Sequence, residues 1–145
     1  GVPVRFDADA VSASIRFDAG RWWWPWRVTA YPCICEQRGF WRWSEIVVGR
    51  SFLSFPPREQ QAILLHEVGH VKLGHVGQRI RAAWMIAFRP GAFAALCRTQ
   101  ELQADSFAAH CGYGVELAQA LGRVTEASDP MHPPKAERIS RLYGV

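Results

Sequence analysis

Two histidines four residues apart, His66 and His70, enclose Glu67 in the stretch Ile63-Leu64-Leu65-His66-Glu67-Val68-Gly69-His70. The apolar residues around them recur with a helical period, and positions i and i+4 of a helix share one face. Both imidazoles can therefore reach one metal ion. Glu67 directly follows the first histidine, beside that ion, where a carboxylate can hold a water and take its proton. Paired imidazole donors with an adjacent general base are what hydrolytic zinc chemistry requires. A catalytic zinc also needs a third protein ligand and one position left open to water.

His75 is the nearest candidate for that third ligand, but its spacing is poor. The longer pattern H-E-x-x-H-x-x-G-x-x-H places glycine at 73 and histidine at 76, where this chain has Leu73 and Val76. His75 reads instead as a polar residue just past a helix end. Glu101, in Gln100-Glu101-Leu102-Gln103-Ala104-Asp105, is the better candidate. Glu101 and Asp105 stand four apart on one helix face. Two like charges so placed repel by roughly 0.2–0.5 kcal/mol when exposed, and by more when buried. Ala104 and Ala108 lie beside them, so the face suits close helix packing better than water. A buried acidic pair needs a cation or strong donors. Zinc at Glu101, with Asp105 accepting an N–H from a ligand histidine, satisfies both charges and fixes the imidazole tautomer. The plain alternative, two solvated surface carboxylates, holds where no metal motif accompanies them.

The elements that must carry these residues are legible in outline. Ser12 to Phe17 alternates as a half-buried strand does, Arg27 to Tyr31 reads as a second strand and Glu45 to Val48 as a third. Glu36-Gln37-Arg38-Gly39 is turn-like, so the last two strands form a hairpin whose loop carries Phe40, Trp41 and Trp43. An exposed strand there could hold a peptide substrate in extended form by strand addition. Pro56-Pro57 opens a helix that runs through the histidines to about Leu73, with Gly74 as its stop. Helical patterns follow over 76–88, 92–110 and 115–127. A loop, Asp129 to Pro134, precedes a short amphipathic helix from Pro134 to Tyr143. The order predicts an α+β fold: a small N-terminal sheet, the histidine-bearing helix, then a mostly helical C-terminal half that supplies Glu101. One domain spans residues 1–145, with no linker visible.

Composition narrows the class. At 49% hydrophobic and 21% charged residues the chain is globular rather than disordered. The net charge of +4 rests on scattered arginines with no basic run, which argues against a nucleic-acid partner. Cys33, Cys35, Cys97 and Cys111 contain no C-x-x-C and read as reduced thiols of a cytoplasmic protein, with a Cys97–Cys111 bridge left open. No stretch of eighteen apolar residues exists, because Arg89-Pro90-Gly91 cuts the greasiest segment. The chain begins at Gly1 without Met, so an anchor outside it would leave the protein membrane-associated instead. Four tryptophans fall within Trp22 to Trp26. They either cover a core or form an exposed patch that contacts a partner or a membrane surface. Oligomeric state is not legible.

His66-Glu67-Val68-Gly69-His70 followed by Glu101-Leu102-Gln103-Ala104-Asp105 resembles the M48 family of zinc metallopeptidases. Ile46-Val47-Val48-Gly49 leading to the helix is similar to that family's strand and turn. His132-Pro133-Pro134 with Arg138 is similar to its late H-P-P-x-x-x-R segment. The resemblance covers roughly residues 28–143. It implies a zincin-like fold and an endopeptidase, with Zn2+ held by His66, His70 and Glu101. It makes Glu67 the general base that activates a zinc-bound water, and Asp105 the partner of a ligand histidine. It places His132 and Arg138 near the tetrahedral intermediate's oxyanion. Only 30 residues separate His70 from Glu101, so the chain is similar to the compact minigluzincins rather than to the membrane-spanning members. A zinc-stabilised or latent binding module, gripping a partner or membrane through the Trp-rich N-terminal region, is the alternative reading.

Overall fold

The computed structural model describes residues 1–17, 26–125 and 129–144. Its sheet is built on β5, Glu45–Val48, in which Ile46, Val47 and Val48 are all buried. A β-branched run of this kind suits a strand covered on both faces. β1, Val4–Phe6, lies parallel to β5 on one side and β4, Cys35–Arg38, antiparallel on the other. β2, Val11–Phe17, and β3, Trp26–Pro32, form a separate antiparallel ribbon. Trp22, Trp23 and Trp24 lie outside the described residues.

The expected hairpin between β3 and β5 is corrected. β3 pairs with β2, and the antiparallel partner of β5 is β4, three residues of which read as turn in the sequence. Glu36, Gln37 and Arg38 are polar because β4 is an edge strand, where charge discourages wrong pairing. The turn itself begins at Gly39, and the loop exposes Trp41 and Trp43.

Six helices follow among the described residues: α1, Pro57–Lys72; α2, His75–Arg81; α3, Met85–Phe88; α4, Pro90–His110; α5, Gly114–Arg123; and α6, Lys135–Leu142. The sheet with this helical half makes the chain α+β. Proline occupies the first turn of both α1 and α4, where its missing N–H costs no hydrogen bond. Gly74, at φ 68°, takes the left-handed conformation that ends α1 and turns the chain into α2. The helix expected over 76–88 is split around Ala82 to Trp84, where i→i+3 bonds such as Met85 N to Ala82 O tighten the coil. The one expected over 115–127 stops at Arg123.

α1 presents three faces to the rest of the chain. Ile63, Leu64 and Val68 pack on Ile46, Val48 and Phe52 beside the sheet. Ala62 and Leu65 pack on Ala108 of α4 and Leu117 of α5. The third face, with His66, Gly69 and His70, meets α4. A Cβ at Gly69 would stand 3.1 Å from Phe107 Cβ and 3.2 Å from Ala104 Cα, so glycine is what lets the helices approach this closely. Buried Glu59 anchors the start of α1 by a fork from Arg123 at the end of α5, 2.8 and 3.2 Å. All four cysteines are free. No helix among the described residues is long and apolar enough to cross a membrane.

Candidate metal centre

The close approach of α1 and α4 puts three donor side chains together. His66 Nε2 and His70 Nε2 are 3.2 Å apart. Glu101 places Oε2 3.3 Å from the first and Oε1 3.4 Å from the second. All three residues are buried. Ligands about 2.0–2.1 Å from a tetrahedral zinc are about 3.3–3.4 Å from one another. The observed contacts are of that size, with the carboxylate turning a different oxygen to each histidine. The hydrogen bonds explain why the nitrogens face inward. His66 Nδ1 lies 2.9 Å from Asp105 Oδ1, an acceptor, so the ring proton belongs on Nδ1 and the Nε2 lone pair is free. His70 Nδ1 is likewise engaged, 2.8 Å from His75 Nδ1. Two imidazole nitrogens and a carboxylate aimed at one point need either protons on the imidazoles or a cation among them, and this donor set can hold a metal ion.

A second layer holds these ligands. Arg138 of α6 forks onto Asp105, Nε to Oδ2 at 2.8 Å and Nη2 to Oδ1 at 2.7 Å. Arg79 of α2 donates to Glu101 Oε1 at 3.1 Å and to Gln100 Oε1 at 2.6 Å, and Gln100 in turn donates to Gln78. Glu67 accepts the Gln37 backbone N–H on Oε2 at 2.8 Å, which ties the carboxylate to β4. His132 stands apart from the three-residue group, partly exposed and paired with Asp129, Nδ1 to Oδ2 at 3.2 Å.

Charge in this buried place follows from the partners. Burial pulls the His66 pKa down, but the hydrogen bonds to Asp105 and Glu101 outweigh it and push it up to about 10. Burial raises Glu101, yet its bonds to His66 and His70 hold it well below the usual carboxylate range. Asp105 is also lowered, its burial overcome by Arg138 and His66. Glu67 goes the other way: burial raises it, against the opposing pull of His66 and His70. Burial and the neighbouring His70 lower His75 to about 4, so it is neutral near pH 7. These values belong to the protein groups alone; a cation at the three donors favours neutral imidazoles.

The structure thus gathers His66, His70, Glu101, Glu67, Asp105 and Arg138 into one network and leaves His132 at its margin. Arg138, read from sequence as a group facing the reacting oxygen, spends two nitrogens on Asp105. His75 is not among the three grouped donors but directly behind one of them. Sequence reasoning missed Arg79, Gln100 and the Gln37 N–H. The first could have been sought, because a buried Glu101 calls for a second cation; a backbone donor carries no residue signature at all. Neither family models nor characterised proteins give a match to this chain.

Proposed function

We propose that the chain is a zinc-dependent endopeptidase on a zincin-like scaffold, with His66, His70 and Glu101 as metal ligands and Glu67 as general base. One observation carries the reading: three buried side chains, two imidazoles and a carboxylate, meet with pairwise contacts of 3.2–3.4 Å, and a second carboxylate stands one residue from the first histidine. A purely structural zinc needs four closed ligands and no base.

A Zn2+ ion held there would supply Lewis-acid polarisation of a peptide carbonyl and lower the pKa of an attacking water towards about 7. The remaining chemistry falls to the chain. Glu67 takes the water's proton and returns it to the leaving amine. Burial raises its pKa above the ordinary carboxylate range, which favours its holding the proton between the two transfers. The Gln37 N–H steadies one of its oxygens and leaves the other for the transfer. Asp105, clamped by Arg138, orients His66. His132, whose pKa is raised mainly by its hydrogen bond to Asp129, is the cation candidate for the developing oxyanion. The outer edge of β4 is where an extended peptide would add as a strand, alongside Glu67. Four free cysteines favour a reducing compartment such as the cytoplasm.

One observation favours the latent alternative. Arg38 Nη2 donates to Val11 O at 2.9 Å and Ser12 Oγ to Glu36 Oε2 at 3.3 Å, so the start of β2 is fastened to β4. A cleft closed by this segment would bind metal without cleaving. Digestion of an unfolded protein, with and without a zinc chelator, separates the readings. Chelator-sensitive cleavage is expected, and Glu67→Gln should lower it about 10²–10⁴-fold with zinc content unchanged. Cleavage by Glu67→Gln at the wild-type rate removes the base assignment. Zinc binding without any cleavage supports the latent module.

A further inference from the structure

We infer that His75, backed by Gln103, is a positioning residue that holds His70 in the one tautomer able to bind a metal ion. This rests on the metal-site reading above and extends it to residues that touch neither metal nor substrate.

Gly74 turns the chain so that the first residue of α2 lies against the last turn of α1. His75 is 1% exposed there. Its Nδ1 is 2.8 Å from His70 Nδ1, and its Nε2 is 3.1 Å from Gln103 Oε1 on α4. Two ring nitrogens at that distance share one proton, and there are two ways to place it. If it belongs to His75, that ring donates from both nitrogens and is a buried cation on the same short helix as Arg79. His70 then carries its own proton on Nε2, the atom aimed at His66 and Glu101, and cannot ligate. If the proton belongs to His70, His75 is neutral. Its Nδ1 lone pair accepts from His70, its Nε2–H donates to Gln103, and the His70 Nε2 lone pair faces the donor set.

Gln103 is what makes the first state a buried cation. Its carbonyl oxygen has no proton to give, so it commits His75 Nε2 as a donor. A buried imidazolium with no carboxylate against it is disfavoured, which leaves the second state. Electron density passed from His75 to the His70 N–H also makes Nε2 a stronger donor, as a carboxylate or carbonyl behind a ligand histidine does. The arrangement recurs at each ligand. His66 is backed by Asp105 and then Arg138, Glu101 by Arg79 and then Gln100, and His70 by His75 and then Gln103. α2 supplies two of the three groups that touch a ligand from behind, so this helix is an orienting part of the metal centre.

The test is Zn2+ affinity of the full chain, measured by competition with a chromogenic chelator, alongside ¹⁵N NMR of the imidazoles in the zinc-loaded protein. His75→Leu keeps the volume and removes the acceptor; affinity should fall about 10–100-fold. His75→Asn, whose Oδ1 can take the same proton, should recover most of that loss. Gln103→Met, at an exposed position, should weaken binding in the same direction but less. The protonated His70 Nδ1 resonance should be present in the wild type and in His75→Asn and perturbed in His75→Leu. Equal affinity across the series would reduce His75 to a packing residue and overturn the inference. So would an equal loss in His75→Leu and His75→Asn. Failure of the wild type itself to bind Zn2+ removes the metal reading, and the inference with it.

Discussion

Histidine is the residue whose role here depends most on which nitrogen is already spoken for. His66 and His70 turn Nε2 towards each other and Glu101 because Asp105 and His75 have claimed Nδ1, and nothing in the spacing of the motif announces that. The spacing was enough to find the ligand pair, because i and i+4 must share a face. Glu101 was found because an acidic pair on an alanine-lined face demanded a cation. The layer behind was not legible, since Arg79, Gln103 and Gln37 act through distances set only by the fold. His132 offers a prediction at this scale. Its pKa is raised, chiefly by the hydrogen bond to Asp129. A group whose folded pKa lies above its unfolded one, about 6.5 for histidine, contributes stability that is complete below that value. The contribution is lost as pH rises through the folded pKa. NMR titration should place the His132 midpoint above about 6.5, and Asp129→Asn should move it down. If the midpoint stays where it was in Asp129→Asn, Asp129 is not the group that shifts it.

At the scale of elements, the site depends on how near α1 comes to α4. Gly69 in the middle of the motif, Ala104 opposite and the buried Ala62 and Ala108 nearby are the small residues that allow it. The helices were legible because apolar residues at a period near 3.6, opened by proline and closed by glycine, leave few alternatives. β4 was not, because an edge strand of four residues with one buried side chain has almost no periodic signal. Its neighbour β5 therefore reads as the partner of β3, which instead pairs with β2. Gly69→Ala tests the helix contact. Alanine gains about 1 kcal/mol of helix propensity over glycine, but overpacking a tight contact typically costs about 1–3 kcal/mol. Two of the three atoms it would meet belong to the Ala104 backbone, which cannot turn aside as a side chain can. Loss should win: a net destabilisation of up to about 2 kcal/mol in urea unfolding, with weaker zinc binding as the donor side chains are pushed apart. A stabilised variant with unchanged affinity would mean that α4 yields freely.

At the scale of the whole molecule, the centre draws on distant parts of the chain. Gln37 comes from β4, His66 and His70 from α1, Arg79 from α2, Glu101 from α4 and Arg138 from α6. The donor geometry therefore exists only when the sheet and the helical half are both in place, and a metal bound there would be linked to global folding. A ligand that binds only the folded state stabilises it by about 4 kcal/mol at 1,000 times its Kd. For a chain near 150 residues each kcal/mol is worth roughly 2–4 °C in Tm. Zinc in that excess should therefore raise Tm by roughly 8–16 °C over the chelator-treated protein. Magnesium should do little, since imidazole donors suit it poorly. Glu101→Ala should abolish most of the zinc shift while leaving both histidines, because a third ligand is lost and the two remaining donors come from one helix. A zinc shift as large in Glu101→Ala as in the wild type would place the third ligand elsewhere. The same Tm for wild type with chelator and with zinc would mean that the folded chain does not hold the metal at all.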